Sequence, residues 1–177
     1  MRGMSRRKLI GIIGATLGVL IMSPTVSAGS RKDFPEKYSD VYMPVSLAVG
    51  TVRTPEFPVV PQAYDIIIQA QRSLPISQMM CMMGATSNPF ESKNCTSDDP
   101  LLQADWTVWN EGHIVAHGSS ARSGGSSITK ERLWKSLGGF AGEAGKKYVV
   151  EVKFTKDGTP LNVAGPHLIV IQHKKFW

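Results

Sequence analysis

The chain has little of what most functional signatures need. It contains only two cysteines, Cys81 and Cys95. It has no Gly-x-Ser-x-Gly elbow and no His-Glu-x-x-His pair, which argues against the usual serine-hydrolase and zinc-protease arrangements. No carboxylate pair stands out for glycoside chemistry. Asp98-Asp99 lies in a loop-like stretch without the dense Asp/Asn/Gly series of a calcium loop. Gly124-Gly125 lacks the lysine that a phosphate-cradling loop uses. The longest uncharged apolar run, Leu9 to Met22, has 14 residues. A membrane-spanning helix needs about 20.

That short run has a specific setting. Arg2, Arg6, Arg7 and Lys8 precede it, and Ser23-Pro24-Thr25-Val26-Ser27-Ala28 follows it. A cationic start, an apolar middle and small residues at the −3 and −1 positions make a cleavable signal peptide, residues 1–28. Pro24 would break a helix continuing through it. Ser5-Arg6-Arg7-Lys8-Leu9-Ile10 also resembles the twin-arginine export pattern, so both the general and the twin-arginine routes stay open. No cysteine ends the apolar run, so no lipid anchor is expected. The mature protein is thus placed in the periplasm or outside the cell, without a stable membrane anchor.

Removing residues 1–28 takes away four of the 20 basic residues, against 14 acidic ones, and leaves +2 over 149 residues. That is one domain of ordinary size. The basic excess thus lies largely in the signal peptide and is no argument for nucleic-acid binding, which wants a clustered basic face, so no nucleic-acid partner is expected. In an oxidising compartment an even cysteine count predicts a Cys81–Cys95 disulfide.

Residues 29–62 are punctuated by Pro35, Pro44, Pro55, Pro58 and Pro61. They read as an extended arm with one short edge strand, Tyr42 to Val49. The folded body is expected over 63–177. Ala63 to Arg72 alternates as a half-buried strand. Ser77 to Met83 is a second apolar run. Asp105 to Trp109, the turn Asn110-Glu111-Gly112 and His113 to Gly118 form a hairpin. Ser119 to Ser127 is a Gly/Ser-rich loop. Ile128 to Leu137 is the one helical candidate, with Leu133 and Leu137 at i, i+4, a cap at Ser127 or Thr129 and a stop at Gly138. Tyr148 to Thr155 and His167 to His173 are further strands, with an Asp-Gly turn at Asp157-Gly158. The expected fold is all-β: an antiparallel, immunoglobulin-like β-sandwich with one short helix.

Gly142 to Val150 looks like the turn-then-tyrosine entry into a late strand of immunoglobulin-like sandwiches, where a tyrosine hydroxyl pins the corner. Tyr148 would take that role and Trp106 that of the core indole. The layout over 63–173 is similar to uncharacterised proteobacterial periplasmic sandwich proteins, some of which are immunity partners of secreted antibacterial toxins. The resemblance implies a non-catalytic protein that binds a protein partner, in its most concrete form an immunity or inhibitor protein occluding such a toxin.

Loops carry binding in such scaffolds. The candidate partner-binding residues are therefore Trp109, Asn110 and Glu111 at the hairpin, Arg122 and Ser123 in the Gly/Ser loop, and Asp98 and Asp99 in the cysteine loop. Trp109 either anchors an interface or fills the sandwich. No cofactor is expected. The alternative is a copper-handling protein, in which the soft sulfurs of Met79, Met80, Met82 and Met83 join His113. A disulfide at Cys81 would remove the thiolate, and methionine also packs irregular cores well. His113 and His117 would sit about 13 Å apart along a strand, too far to share one metal.

Overall fold

The computed structural model describes residues 39–84, 95, 100–120 and 125–173. They form ten strands in two antiparallel sheets. In chain order these are β1 (Val41–Pro44), β2 (Gly50–Arg53), β3 (Phe57–Pro58), β4 (Ala63–Gln71), β5 (Ala104–Asn110), β6 (His113–Ser119), β7 (Ser126–Ile128), β8 (Arg132–Ala141), β9 (Lys147–Phe154) and β10 (His167–Gln172). One sheet has the order β1-β10-β4-β8-β7. The other runs β2-β9-β5-β6, with β3 also pairing β9. An α-helix, α1 (Ile76–Met83), and a 3-10 helix over Thr159–Ala164 complete the description. The fold is an all-β antiparallel sandwich.

Alternation places the core. Tyr64, Ile66, Ile68 and Ala70 of β4 face Val150, Val152 and Phe154 of β9 and Trp106 and Val108 of β5 in one buried cluster. The β5–β6 turn is a two-residue hairpin in which Glu111 (φ 49°) and Gly112 (φ 80°) both take positive φ, as a turn matching strand twist requires. The pairing of β4 with β8 and of β8 with β7, and of β5 with β9 and β6, follows the immunoglobulin plan. The flanks are exchanged. The final strand β10 lies beside β4, and the early strand β2 borders β9.

Trp106 holds the two sheets at a fixed spacing. Its indole N–H donates to the Leu137 carbonyl across the sandwich at 2.8 Å. A Cβ at Gly118 or at Gly138 would come within 2.5 Å of the ring. The two glycines leave the room in which the indole lies flat between β6 and β8.

Three expectations are corrected. The stretch read as an arm is part of the sandwich from Val41 onward. β1 pairs β10, and β2 and β3 pair β9. The prolines do not prevent this, because Pro44 and Pro58 sit in flanking strands, where a missing N–H is tolerated. Val41, Leu47, Phe57 and Val59 all bury their side chains in the core.

The second correction is at Ile128 to Leu137, which is strand rather than helix. Leu133 and Leu137 are four apart, and four is also two strand periods. With Lys135 between them they share the inner face of β8. Thr129 does accept from the N–H groups of Glu131 and Arg132, as a helix cap would, but it closes the β7–β8 turn.

The third is the place of the α-helix, which falls on the apolar run of Ser77 to Met83, within α1, and not at Ile128 to Leu137. Pro75 opens the helix at φ −51°, and Gly84 ends it in the left-handed region at φ 65°. Met79 and Met83, one helical turn apart, are fully buried. The tyrosine hydroxyl that fastens a turn belongs to Tyr64, which accepts from the Val60 N–H at 3.0 Å. Tyr148 is buried edge-on against Phe140.

Cys81 of α1 is joined to Cys95, 14 residues on. Closing a loop of this size restricts the unfolded chain, so reduction should lower stability by about 3 kcal/mol, read as a drop in the urea midpoint with a somewhat steeper slope as the freed unfolded chain exposes more surface. Gly118→Ala should cost about 1–3 kcal/mol, because the indole of Trp106 must move for the new methyl group. An unchanged midpoint for Gly118→Ala would show that the ring is not confined there.

Candidate functional site

The outer face of the β2-β9-β5-β6 sheet carries the hairpin residues singled out from the sequence. Trp109 is in register with Val149 of β9 and Ile114 of β6, and a bulge falls just before it. Inward-facing Val108 and Val150 alternate with this pair, so Trp109 points away from the core. Its indole is half-buried, and its Nε1 is enclosed without a hydrogen-bond partner among the described residues. The Arg53 guanidinium lies 6.0 Å from the ring centroid and pairs with Glu151 at 3.4 Å. Asn110 donates to the Lys147 carbonyl, and Glu111 forms the turn. Beside them Ile114 and Val115 are 55% and 48% exposed on β6, the edge strand of this sheet. The structure thus brings Trp109, Asn110 and Glu111 together. Arg122, Ser123, Asp98 and Asp99 lie outside the described residues.

The methionine segment is placed otherwise. Met79, Met82 and Met83 pack in the core with Met80 against its margin, and the Cys81 sulfur is committed to the disulfide. His113 is exposed at the start of β6. The thioethers thereby serve packing, with the adaptability that methionine brings to irregular space.

The outer face of the β1-β10-β4-β8-β7 sheet holds an arrangement with no local sequence signal. Ile67, Ile169 and Ile171 form a small second apolar cluster flanked by Tyr42 and Trp134. Gln69 is buried among polar partners. Its Oε1 accepts from Trp134 Nε1 at 2.9 Å and from Arg132 at 3.4 Å, and its Nε2 donates to the Tyr42 hydroxyl at 3.4 Å. Tyr42 also stacks on His167 with ring centroids 4.5 Å apart. At one end Asp65 Oδ2 meets His173 Nδ1 at 2.8 Å. A cleft of about 210 Å³ lies between this pair and Trp134, over Ile67 and beside β7.

On the inner face, Lys135 is buried and its ammonium donates to the Gly84 carbonyl at the end of α1 at 2.9 Å. A cation favours a helix C-terminus. Burial nonetheless pushes the Lys135 pKa below its ordinary value, because desolvation disfavours the charged form. Burial raises the Tyr64 hydroxyl instead, against the Val60 hydrogen bond that lowers it.

No family model and no curated protein matches the chain. Among solved structures it is similar to a protein of Sulfurospirillum deleyianum, with a TM-score of 0.57 at 10% identity over 76% of this chain and 97% of that one. The likeness shows the fold alone.

The lowered Lys135 pKa fixes the sign of a pH effect. Between its folded value and the ordinary 10.5, the unfolded state holds the extra proton, so this group makes stability rise with pH. Tyr64 acts in the opposite sense, so the comparison is between proteins. Lys135→Met should lose the alkaline gain that the wild type shows relative to it. Urea midpoints measured from neutral to alkaline pH read this directly, and parallel curves would contradict it.

Proposed function

We propose that the chain is an exported, non-catalytic binding protein that engages a protein partner, in its most concrete form an immunity or inhibitor protein that occludes a secreted antibacterial toxin. The observation that carries this reading is the β5–β6 surface. Edge strands of soluble proteins are usually blunted by charge or proline. β6 reads His113-Ile114-Val115-Ala116-His117-Gly118-Ser119, with no lysine, arginine, acid or proline. Two of its apolar side chains are about half exposed, and next to them is a tryptophan whose N–H is enclosed without a partner among the described residues. Tryptophan with an adjacent arginine is the composition of an interface anchor. The edge offers main-chain groups for strand addition, and the exposed aliphatics offer the apolar contact.

The signal-peptide pattern supports export, and the disulfide is compatible with an oxidising compartment. Occlusion needs only a rigid surface of the right shape, which fits a chain whose sequence offers no assembled catalytic motif.

The test is native mass spectrometry of the mature protein isolated gently from its own periplasm, followed by affinity measurement on the partner so identified. A stoichiometric protein complex is expected. Trp109→Ala and Ile114→Lys should each weaken it by about thirtyfold or more, the scale of losing an interface hot spot. Equal affinity in both variants would remove the β5–β6 surface from the account.

A further inference from the structure

The cleft on the outer face of the β1-β10-β4-β8-β7 sheet is independent of the β5–β6 surface and has its own chemistry. Three strands and the end of β10 build it. Asp65 and Ile67 come from β4, Trp134 and Ser136 from β8, Ser127 from β7, and His173 follows β10. Register explains the grouping. Gln69 pairs with Trp134 and Trp134 with Ser127, while Ile67 pairs with Ser136. Asp65 lies opposite Gly139, which has no side chain to cover the carboxylate.

Its size restricts the ligand. At about 210 Å³ the cleft is smaller than the roughly 300–1,000 Å³ sites that take drug-sized molecules. It has room for one ring. Ile67 is 1% exposed and gives an apolar floor. Trp134 has its N–H held by Gln69, so toward the cleft it contributes surface. Opposite the apolar side stand the Asp65 carboxylate, 19% exposed, its His173 partner and the hydroxyls of Ser127 and Ser136.

These groups select among ligand charges. A carboxylate ligand would be set against Asp65. A cationic ligand would compete with His173 for the carboxylate that already holds it. A wholly apolar ring would desolvate the carboxylate and the hydroxyls without replacing their water, at about 1–3 kcal/mol for each group left unmatched. A neutral ring with one C–H face and several hydroxyls satisfies both sides. Hydroxyls donate to a carboxylate, which has lone pairs beyond the one that meets His173, and they exchange hydrogen bonds with serine in either sense. We propose that this cleft binds a single neutral sugar ring, either a free monosaccharide or the terminal residue of a glycan.

The test titrates the mature protein with glucose, galactose, mannose and N-acetylglucosamine, and with short oligosaccharides ending in them. The Trp134 indole N–H is followed by NMR, and benzoate and benzylamine serve as charged rings of similar size. A saturable shift with at least one sugar, weakened by about tenfold or more in Asp65→Asn and in Ser136→Val, is the expected result. Val163→Ser, at an exposed position of the 3-10 helix that does not line the cleft, should bind as the wild type does. Ser136→Val narrows the cleft without touching the Asp65–His173 pair, so it decides the matter should Asp65→Asn fail to fold. Preference for the oligosaccharide identifies a glycan terminus, and equal binding identifies the free sugar. Saturation by benzoate or benzylamine but by no sugar overturns the assignment. So does a lack of saturation by any probe, or unaltered sugar binding in Ser136→Val.

Discussion

The indole of Trp106 spans the space between the two sheets. It starts on β5, lies against Gly118 of β6 and Gly138 of β8, and ends in a hydrogen bond to the Leu137 carbonyl. A side chain this large can occupy the middle of a sandwich only if its polar N–H is matched and the facing backbone is bare. Both conditions are met, and they fix the separation and register of the sheets together. The inward rows of β4, β8, β9 and β10 then close around it. Each outer face inherits its layout from that register, because a one-residue slip would turn every side chain of a strand to the other side.

A second constraint acts at one edge of the core. α1 is eight residues long, too short to persist by its own hydrogen bonds. Three interactions replace the missing length: Met79 and Met83 are packed in the core, Cys81 is tied to Cys95, and Lys135 reaches the Gly84 carbonyl at the helix end. The buried lysine is tolerated because its ammonium meets that carbonyl, although desolvation still lowers its pKa. The sulfur-rich segment is therefore accounted for by fold stability, and the two surfaces proposed for binding lie elsewhere.

The two outer faces divide the remaining chemistry. The β2-β9-β5-β6 sheet ends in an uncharged edge strand with a tryptophan beside it, which suits an extended macromolecular contact. The β1-β10-β4-β8-β7 sheet carries a polar network around Gln69 and a small cleft closed by Asp65 and His173, which suits a small ligand. Each is held by a strand interior and not by a loop, so the side chains are fixed by the same packing that stabilises the sandwich.

Period-two alternation in β4 and β9, the Asn110-Glu111-Gly112 turn, the inward Trp106 and the cysteine pair were all determined by local sequence, because strand periodicity, turn chemistry and loop closure act over a few residues. The same local rules misread Ile128 to Leu137, since a spacing of four serves both a helix face and a strand face, and only pairing with β4 on one side and β7 on the other selects the strand. They misread the proline-rich segment, because proline excludes a central strand and leaves a flanking one open. Trp109, Asn110 and Glu111 were legible as a surface because one hairpin holds them. The meeting of Asp65 with His173, 108 residues apart, was not, and neither were the burial of Gln69 and the placing of Lys135 on the helix end. Those depend on which strands become neighbours, and long-range pairing is decided by the burial of the whole core and not by any segment's own pattern.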